Sequence, residues 1–219
     1  MQTYSHFLLT AALIKPLGKL QKRYPDKIPE IRNSAILLGS IIPDIALIIM
    51  AVVAAIRDYT MGVFSSAEFQ NQDLYLKASS ELLNLSWLAY LFDVAFFENI
   101  WVISLHNLFH SPLLVFIFIS LSYVLWKKQT RSAGWFFWLC CAAMLHTLCD
   151  IPIHANDGPL LLFPFDLNMR FISPISYWDP QFYGEQWSLF EHSMDAVLLI
   201  YLGFIVFKWQ RSRQCGDKA

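Results

Sequence analysis

Histidine and carboxylate side chains recur at helical spacing within stretches of this 219-residue chain that are otherwise apolar. His106 and His110 are four apart, so on a helix both imidazoles share one face, a turn from each other. His146 and Asp150 repeat that spacing, His154 continues the series beyond Pro152, and Asp157 follows in an Asn-Asp-Gly turn. Neutral imidazole and carboxylate are the side chains that hold zinc, manganese or iron, and an i,i+4 pair is a natural two-toothed grip. Asp44 stands ten residues into another apolar run, directly after Pro43, and His6 lies in a short apolar segment near the start. The plain alternatives are interfacial hydrogen bonding for a lone histidine near a helix end and helix capping for Asp44. His192 and Asp195 read as supporting or interfacial polar groups, and Cys140, Cys141 and Cys149 as small packing residues.

The elements that must position these groups are membrane helices. Hydrophobic residues make up 56% of the chain and charged residues 15%, against roughly 25% charge in soluble domains, and mean hydropathy is +0.43. That leaves too little polar surface for a water-soluble globule. A net charge of -1 argues against nucleic-acid binding. The expected fold is all-α: an integral membrane helical bundle of four spans, at about residues 34–56, 101–126, 133–150 and 193–209, with a tail over 210–219. A re-entrant or interfacial N-terminal helix and a long extracytoplasmic loop complete one membrane-embedded domain over 1–219. Leu82 to Ile100, which carries Asp93 and Glu98, is expected as an interfacial helix.

Basic residues set the orientation. Thirteen of the sixteen fall on one side of a four-span arrangement: Lys15, Lys19, Lys22, Arg23, Lys27 and Arg32, then Lys127, Lys128 and Arg131, then Lys208, Arg211, Arg213 and Lys218. Only Arg57, Lys77 and Arg170 fall on the other. The positive-inside rule assigns the thirteen, and the C-terminus, to the cytoplasm. No cleavable leader is expected before Lys15, and Cys215 does not form a prenylation box. Every histidine except His6 then lies at the extracytoplasmic membrane surface. His6 has two open placements. If Tyr4 to Leu20 inserts from the far side, His6 reaches the others and the chain makes five crossings; if that segment lies flat on the cytoplasmic face, His6 is no ligand.

The order of His6, GSIIPD (Gly39 to Asp44), HNLFHS (His106 to Ser111), LHTLCDIPIHANDG (Leu145 to Gly158) and FPF (Phe163 to Phe165) resembles the bacterial membrane-bound metal-dependent hydrolases. These are distantly similar in motif order to the zinc-dependent phospholipase C and P1 nuclease group. SPISYWDPQFYG (Ser173 to Gly184) resembles a run found in a subset of these small membrane proteins. Two departures stand out: the second element's histidines are four apart rather than five, with Asn107 where that family has arginine, and Glu191 or His192 stands where the phospholipase group has H-x3-E.

The resemblance implies a membrane-embedded hydrolase of the bacterial inner membrane, acting at the extracytoplasmic interface on a phosphoester or lipid-like, amphiphilic substrate. Its metal ligands would be His6, Asp44, His106, His110, His146, Asp150 and His154, its ion zinc, and its bridging or general-base group Asp44 or Asp157. Phosphate recognition would lean on Arg170, the one basic residue of the aromatic loop from Phe163 to Trp187. The alternative is a non-enzymatic metal-binding or partner-binding membrane protein.

Overall fold

Proline and hydrogen-bonding side chains interrupt the apolar runs, and each interruption falls where the chain has a polar group to deliver. The computed structural model describes residues 1–73 and 77–216, with side chains to 213, so Lys218 and the side chain of Cys215 lie outside the described residues. In order, the helices are α1 (Thr3–Arg23), α2 (Asn33–Gly39), α3 (Ile42–Thr60), α4 (Ala67–Gln70), α5 (Ser80–Leu85), α6 (Trp87–Tyr90), α7 (Phe96–Glu98), α8 (Ile100–Asn107), α9 (Pro112–Lys127), α10 (Ala133–Asp150) and α11 (Gly184–Gly216). No strand occurs among the described residues; Leu160 and Arg170 form one isolated antiparallel bridge. The architecture is the helical membrane bundle expected from composition.

The core is built around α10. Trp138, Leu139, Cys140, Ala142 and Ala143 pack on Ala35 and Ile36 of α2 and Val115 of α9. Between lipid-embedded helices the drive comes from close contact rather than from excluded water, which favours small residues at the seam. Gly39 is the extreme case: a Cβ there would overlap the carbonyl oxygen of Leu139 and come within 2.9 Å of Ala142 Cβ.

Helices α10 and α11 are each long and apolar enough to cross a membrane. Two bent pairs bring the number to four: α2 with α3, at 52°, and Trp87–Glu98 with α8, at 82°. The first pair is the expected span 34–56, broken where Pro43 was expected to break it. The expected continuous span 101–126 is not one helix. It divides into α8 and α9 because Pro112 opens a new helix and lacks the N–H to continue the old one. Leu82 to Ile100 is likewise not a single interfacial helix. Ser79 and Ser86 cap α5 and α6, a π-turn occupies Leu91–Ala95, and Asn99 caps α8 through Oδ1 to the Trp101 and Val102 amides. Asp58, fully buried, anchors this segment to α3 by accepting from Ser86 Oγ (2.6 Å) and the Trp87 and Leu88 amides (3.0 Å each). The expected span 193–209 is the middle of α11, which begins at Gly184 and continues as helix through the expected tail to Gly216.

The bundle has a basic end and a cluster end. At the basic end Lys127 Nζ donates to the Asp26 carbonyl, and Trp138 Nε1 to the Pro29 carbonyl. Helix α1 lies alongside α11 in the same direction, with Gln2 opposite Glu191 and Ser5 opposite Asp195. Its basic C-terminal half therefore points the same way as Lys208, Arg211 and Arg213. His6 is at the opposite end and is not laid flat among the lysines.

Replacing Gly39 with valine is expected to force α2 away from α10, at a cost of about 1–3 kcal/mol or more. A clear fall in the unfolding midpoint of detergent-purified protein checks this, with Gly203→Val, where a Cβ meets nothing within 4 Å, as the neutral control.

Candidate metal centre

Four helix ends meet at the cluster. Asp150 ends α10, Asp44 lies in the first turn of α3, His6 lies in the second turn of α1, and His106 and His110 flank the end of α8. The Asp150 carboxylate is the meeting point. Its Oδ1 lies 2.6 Å from the Met1 amino group and 2.9 Å from His6 Nε2, and its Oδ2 lies 3.1 Å from His110 Nε2 and 3.0 Å from His146 Nε2. The His6 and His146 rings stack with centroids 3.6 Å apart. The ligand atoms of His6, His146 and Asp150 all lie within 4.8 Å of one another, so these three could hold a metal ion.

The broken span explains how His146 is aimed. In a continuous helix the Asp44 amide would bond to the Ser40 carbonyl. At the α2–α3 break it bonds to the Ile41 carbonyl instead, at 3.1 Å. The released Ser40 carbonyl accepts from His146 Nδ1 at 2.7 Å. In the neutral ring that bond places the proton on Nδ1 and leaves Nε2 with a lone pair. Nε2 is buried without a hydrogen-bond partner, yet it faces Asp44 Oδ1 at 3.3 Å and Asp150 Oδ2 at 3.0 Å. One ring nitrogen and two carboxylate oxygens converge there, an arrangement that a cation relieves, either a proton on Nε2 or a metal ion. Ligands at metal bonds of about 2.1 Å in a tetrahedron stand about 3.4 Å apart, close to these separations. On chemistry and spacing the residues fit a divalent ion.

The remaining expected residues are at the margins. His106 Nε2 is 3.1 Å from His110 Nδ1 and its ring packs 5.1 Å from Phe96. It meets the cluster through His110. His154 Nε2 is 3.9 Å from Asp150, while its Nδ1 lies 3.1 Å from Asp157 Oδ1. Asp157 therefore meets the nitrogen of the His154 ring that does not face Asp150, and also accepts from Trp178 Nε1 at 3.0 Å. Burial would raise the Asp157 carboxyl, but contact with His154 and the Trp178 bond outweigh it and hold it below the usual carboxylate range. His192 is on the surface against Tyr4, as expected of an interfacial group. The cluster is closed except at one edge: the side chains of Asp44 and His154 are 18% and 13% exposed, and that of His146 is fully covered.

Several partners were not evident from the sequence. Thr3 Oγ1 donates to Asp44 Oδ2 at 2.5 Å, the Gln2 amide to Glu191 Oε1 at 2.7 Å, and Ser5 Oγ to Asp195 Oδ2 at 2.8 Å. The buried Glu191 and Asp195 are one turn apart on α11, a spacing that could have marked them. The SPISYWD run forms a roof. Ser173 Oγ bonds the Pro152 carbonyl, the Tyr177 amide bonds the Ile153 carbonyl, and the Tyr177 ring lies 4.9 Å from that of His154. Burial pushes the Tyr177 phenol up, and nearby Asp157 adds to the shift, so it stays protonated. Arg170 has its guanidinium over Phe96 and Phe97 and donates to the Gly158 carbonyl. Asn107 donates to the Ile103 carbonyl and accepts from the Leu160 amide, tying the loop to α8.

A bent-span helical bundle with a buried histidine–carboxylate cluster at one end defines the class: a polytopic membrane protein with a candidate metal centre. The chain belongs to the YdjM inner membrane protein family, whose model matches residues 1–212. No curated protein and no solved structure matches it. The family description gives the location, the inner membrane, and no chemistry.

Asp150→Ala is expected to strand the donors that surround it and to lower stability by about 3–5 kcal/mol, as loss of one partner from a buried ionic group does. His192→Ala, on the 56% exposed side chain, should stay within about 0.5 kcal/mol. Chemical unfolding in mixed micelles separates the two.

Proposed function

We propose that this protein is a membrane-embedded metal-dependent hydrolase, one domain over 1–219, with its cluster at the extracytoplasmic surface and its C-terminus in the cytoplasm. The observation that carries the reading is His146 Nε2, which faces two carboxylates while the ring's Nδ1–H is engaged by the Ser40 carbonyl. His6, His146, Asp150 and Asp44 would hold the ion, with zinc the best match to imidazole and carboxylate donors. Such an ion, when bound, polarises a substrate oxygen and makes water acidic enough to act as a nucleophile near neutral pH. Asp44 is the carboxylate at the open edge, so it is the group able to take a proton from an incoming molecule. Asp157, turned toward His154 and Trp178, orients His154 instead of serving as the base.

A phosphoester or lipid-like substrate follows from the resemblance to membrane-bound hydrolases. The apolar loop beside the cluster, with Phe165 80% and Ile172 81% exposed, suits an amphiphile arriving from the bilayer. The basic end of the bundle supports the orientation through the positive-inside rule, and the parallel course of α1 and α11 supports five crossings. The near-complete burial of His6, His110 and His146 favours a second reading, a non-enzymatic metal-binding protein.

Metal analysis of detergent-purified protein tests the site. Near-stoichiometric zinc is expected in the wild type, and its loss in His146→Ala/Asp150→Ala. Metal-free wild type would overturn the reading. Hydrolysis of a chromogenic phosphodiester or of phospholipid in mixed micelles, abolished by Asp44→Asn with the ion retained, separates enzyme from metal-binding protein. For orientation, in a cysteine-free background Asn168→Cys should react with an impermeant maleimide on intact cells, and Lys128→Cys only after permeabilisation.

A further inference from the structure

The hydrogen bonds around His110 divide the histidines into two kinds. A neutral imidazole carries one N–H and one lone pair, and His110 uses both nitrogens within the cluster: Nε2 at 3.1 Å from Asp150 Oδ2 and Nδ1 at 3.1 Å from His106 Nε2. An ionised carboxylate only accepts, so the His110 proton belongs on Nε2. Nδ1 then accepts, and His106 must donate from its own Nε2. That leaves His106 with a bare lone pair on Nδ1, which is the atom of this ring found buried without a partner. The opposite polarity would turn a His110 lone pair against Asp150 and bury an unpaired N–H on His106. A buried N–H without an acceptor is rarer and costlier than an unused acceptor. His146 is the contrast: its proton is drawn off to the Ser40 carbonyl and its lone pair faces inward.

We propose that His106 and His110 are positioning residues, not metal ligands: a buried donor chain, His106 to His110 to Asp150, that fixes the orientation of the Asp150 carboxylate. The inference rests on the metal-site reading and narrows it. His6 also faces Asp150 through Nε2, at 2.9 Å, but it stacks on His146 and lies with it in the three-residue cluster able to hold an ion. His6, His146 and Asp150, with Asp44, are therefore the grip. Phe96 closes the chain from outside, its ring 5.1 Å from that of His106. The i,i+4 histidine pair thus serves to hold a carboxylate at a distance of one residue, and loss of such an outer partner typically weakens metal binding about 10- to 100-fold without removing the site.

The test compares a donor with a volume. His106→Gln offers an amide N–H to His110 Nδ1, and His106→Leu fills the space without one. Zinc affinity of detergent-purified protein, measured by competition with a chromogenic chelator, is expected to fall about 10- to 100-fold in His106→Leu and His110→Leu. His106→Gln should recover most of that loss, and His146→Ala should hold no zinc. Loss of zinc by His110→Leu as complete as that of His146→Ala, in a background where the wild type is filled, overturns the inference and leaves the metal site standing. So does a His106→Gln variant as weak as His106→Leu. A wild type without zinc overturns the metal site itself. The donor chain is then read separately from 15N spectra of histidine-labelled, chelator-treated protein, with resonances assigned from the variants. Protons on Nε2 of both His106 and His110 are expected, and a His110 proton on Nδ1 overturns the chain.

Discussion

A carboxylate buried at the end of a membrane helix needs donors on every side, and the arrangement around Asp150 organises most of this protein. Its two oxygens draw in the start of α1 through the Met1 amino group and His6, and the α8–α9 junction through His110. An ionised group taken out of water costs several kcal/mol unless its neighbours replace that solvation. Here the replacement comes from the Met1 amino group and His6 at the start of α1 and from His110 at the α8–α9 junction, so the carboxylate also ties α1 and α8 to α10. Removing the carboxylate would remove a structural hub together with a candidate ligand.

The loop after the cluster has a related logic. Ser173, Tyr177 and Trp178 stitch the roof onto Pro152, Ile153, His154 and Asp157. Asn107 and Ser111 fasten the Leu160–Phe163 stretch to the helix junction. These are short-range polar bonds from side chains that carry no charge, a sensible choice at a membrane surface, where an unpaired ion would be costly. The open edge is left to Asp44 and His154.

Much of this was legible in the sequence, for identifiable reasons. The segregation of lysine and arginine fixed which helix ends lie together, because charge position survives any uncertainty in helix boundaries. The i,i+4 pair of His146 and Asp150 announced a shared face, and Pro43 announced the break that brings Asp44 into the first turn of α3. Other features were hidden because they depend on backbone atoms or on contacts remote in sequence. The Ser40 carbonyl that aims His146 has no side-chain signature. The continuous reading of 101–126 failed because apolar residues on both sides of Pro112 look alike to hydropathy, while the chain turns at Leu108–His110. The pairing of Gln2 and Ser5 with Glu191 and Asp195 joins the two ends of the chain, and nothing local reports it. His106 and His110 meet at 3.1 Å although α8 ends between them, so they do not share the helix face that their spacing implied, and spacing alone could not tell a ligand from a donor.

The bend between α2 and α3 has a thermodynamic corollary. A lipid-embedded backbone satisfies its polar groups within itself, and at this bend the Ser40 carbonyl is shared out to His146 because the Asp44 amide has gone to Ile41. Straightening the span would return that carbonyl to the helix and take it from the imidazole. The shape of the helix and the proton position on His146 are therefore one equilibrium seen from two sides. By reciprocity, a ligand that prefers the His146 lone pair also stiffens the bend, and a bilayer thick enough to stretch the span would loosen the hold on that ligand by the same free energy.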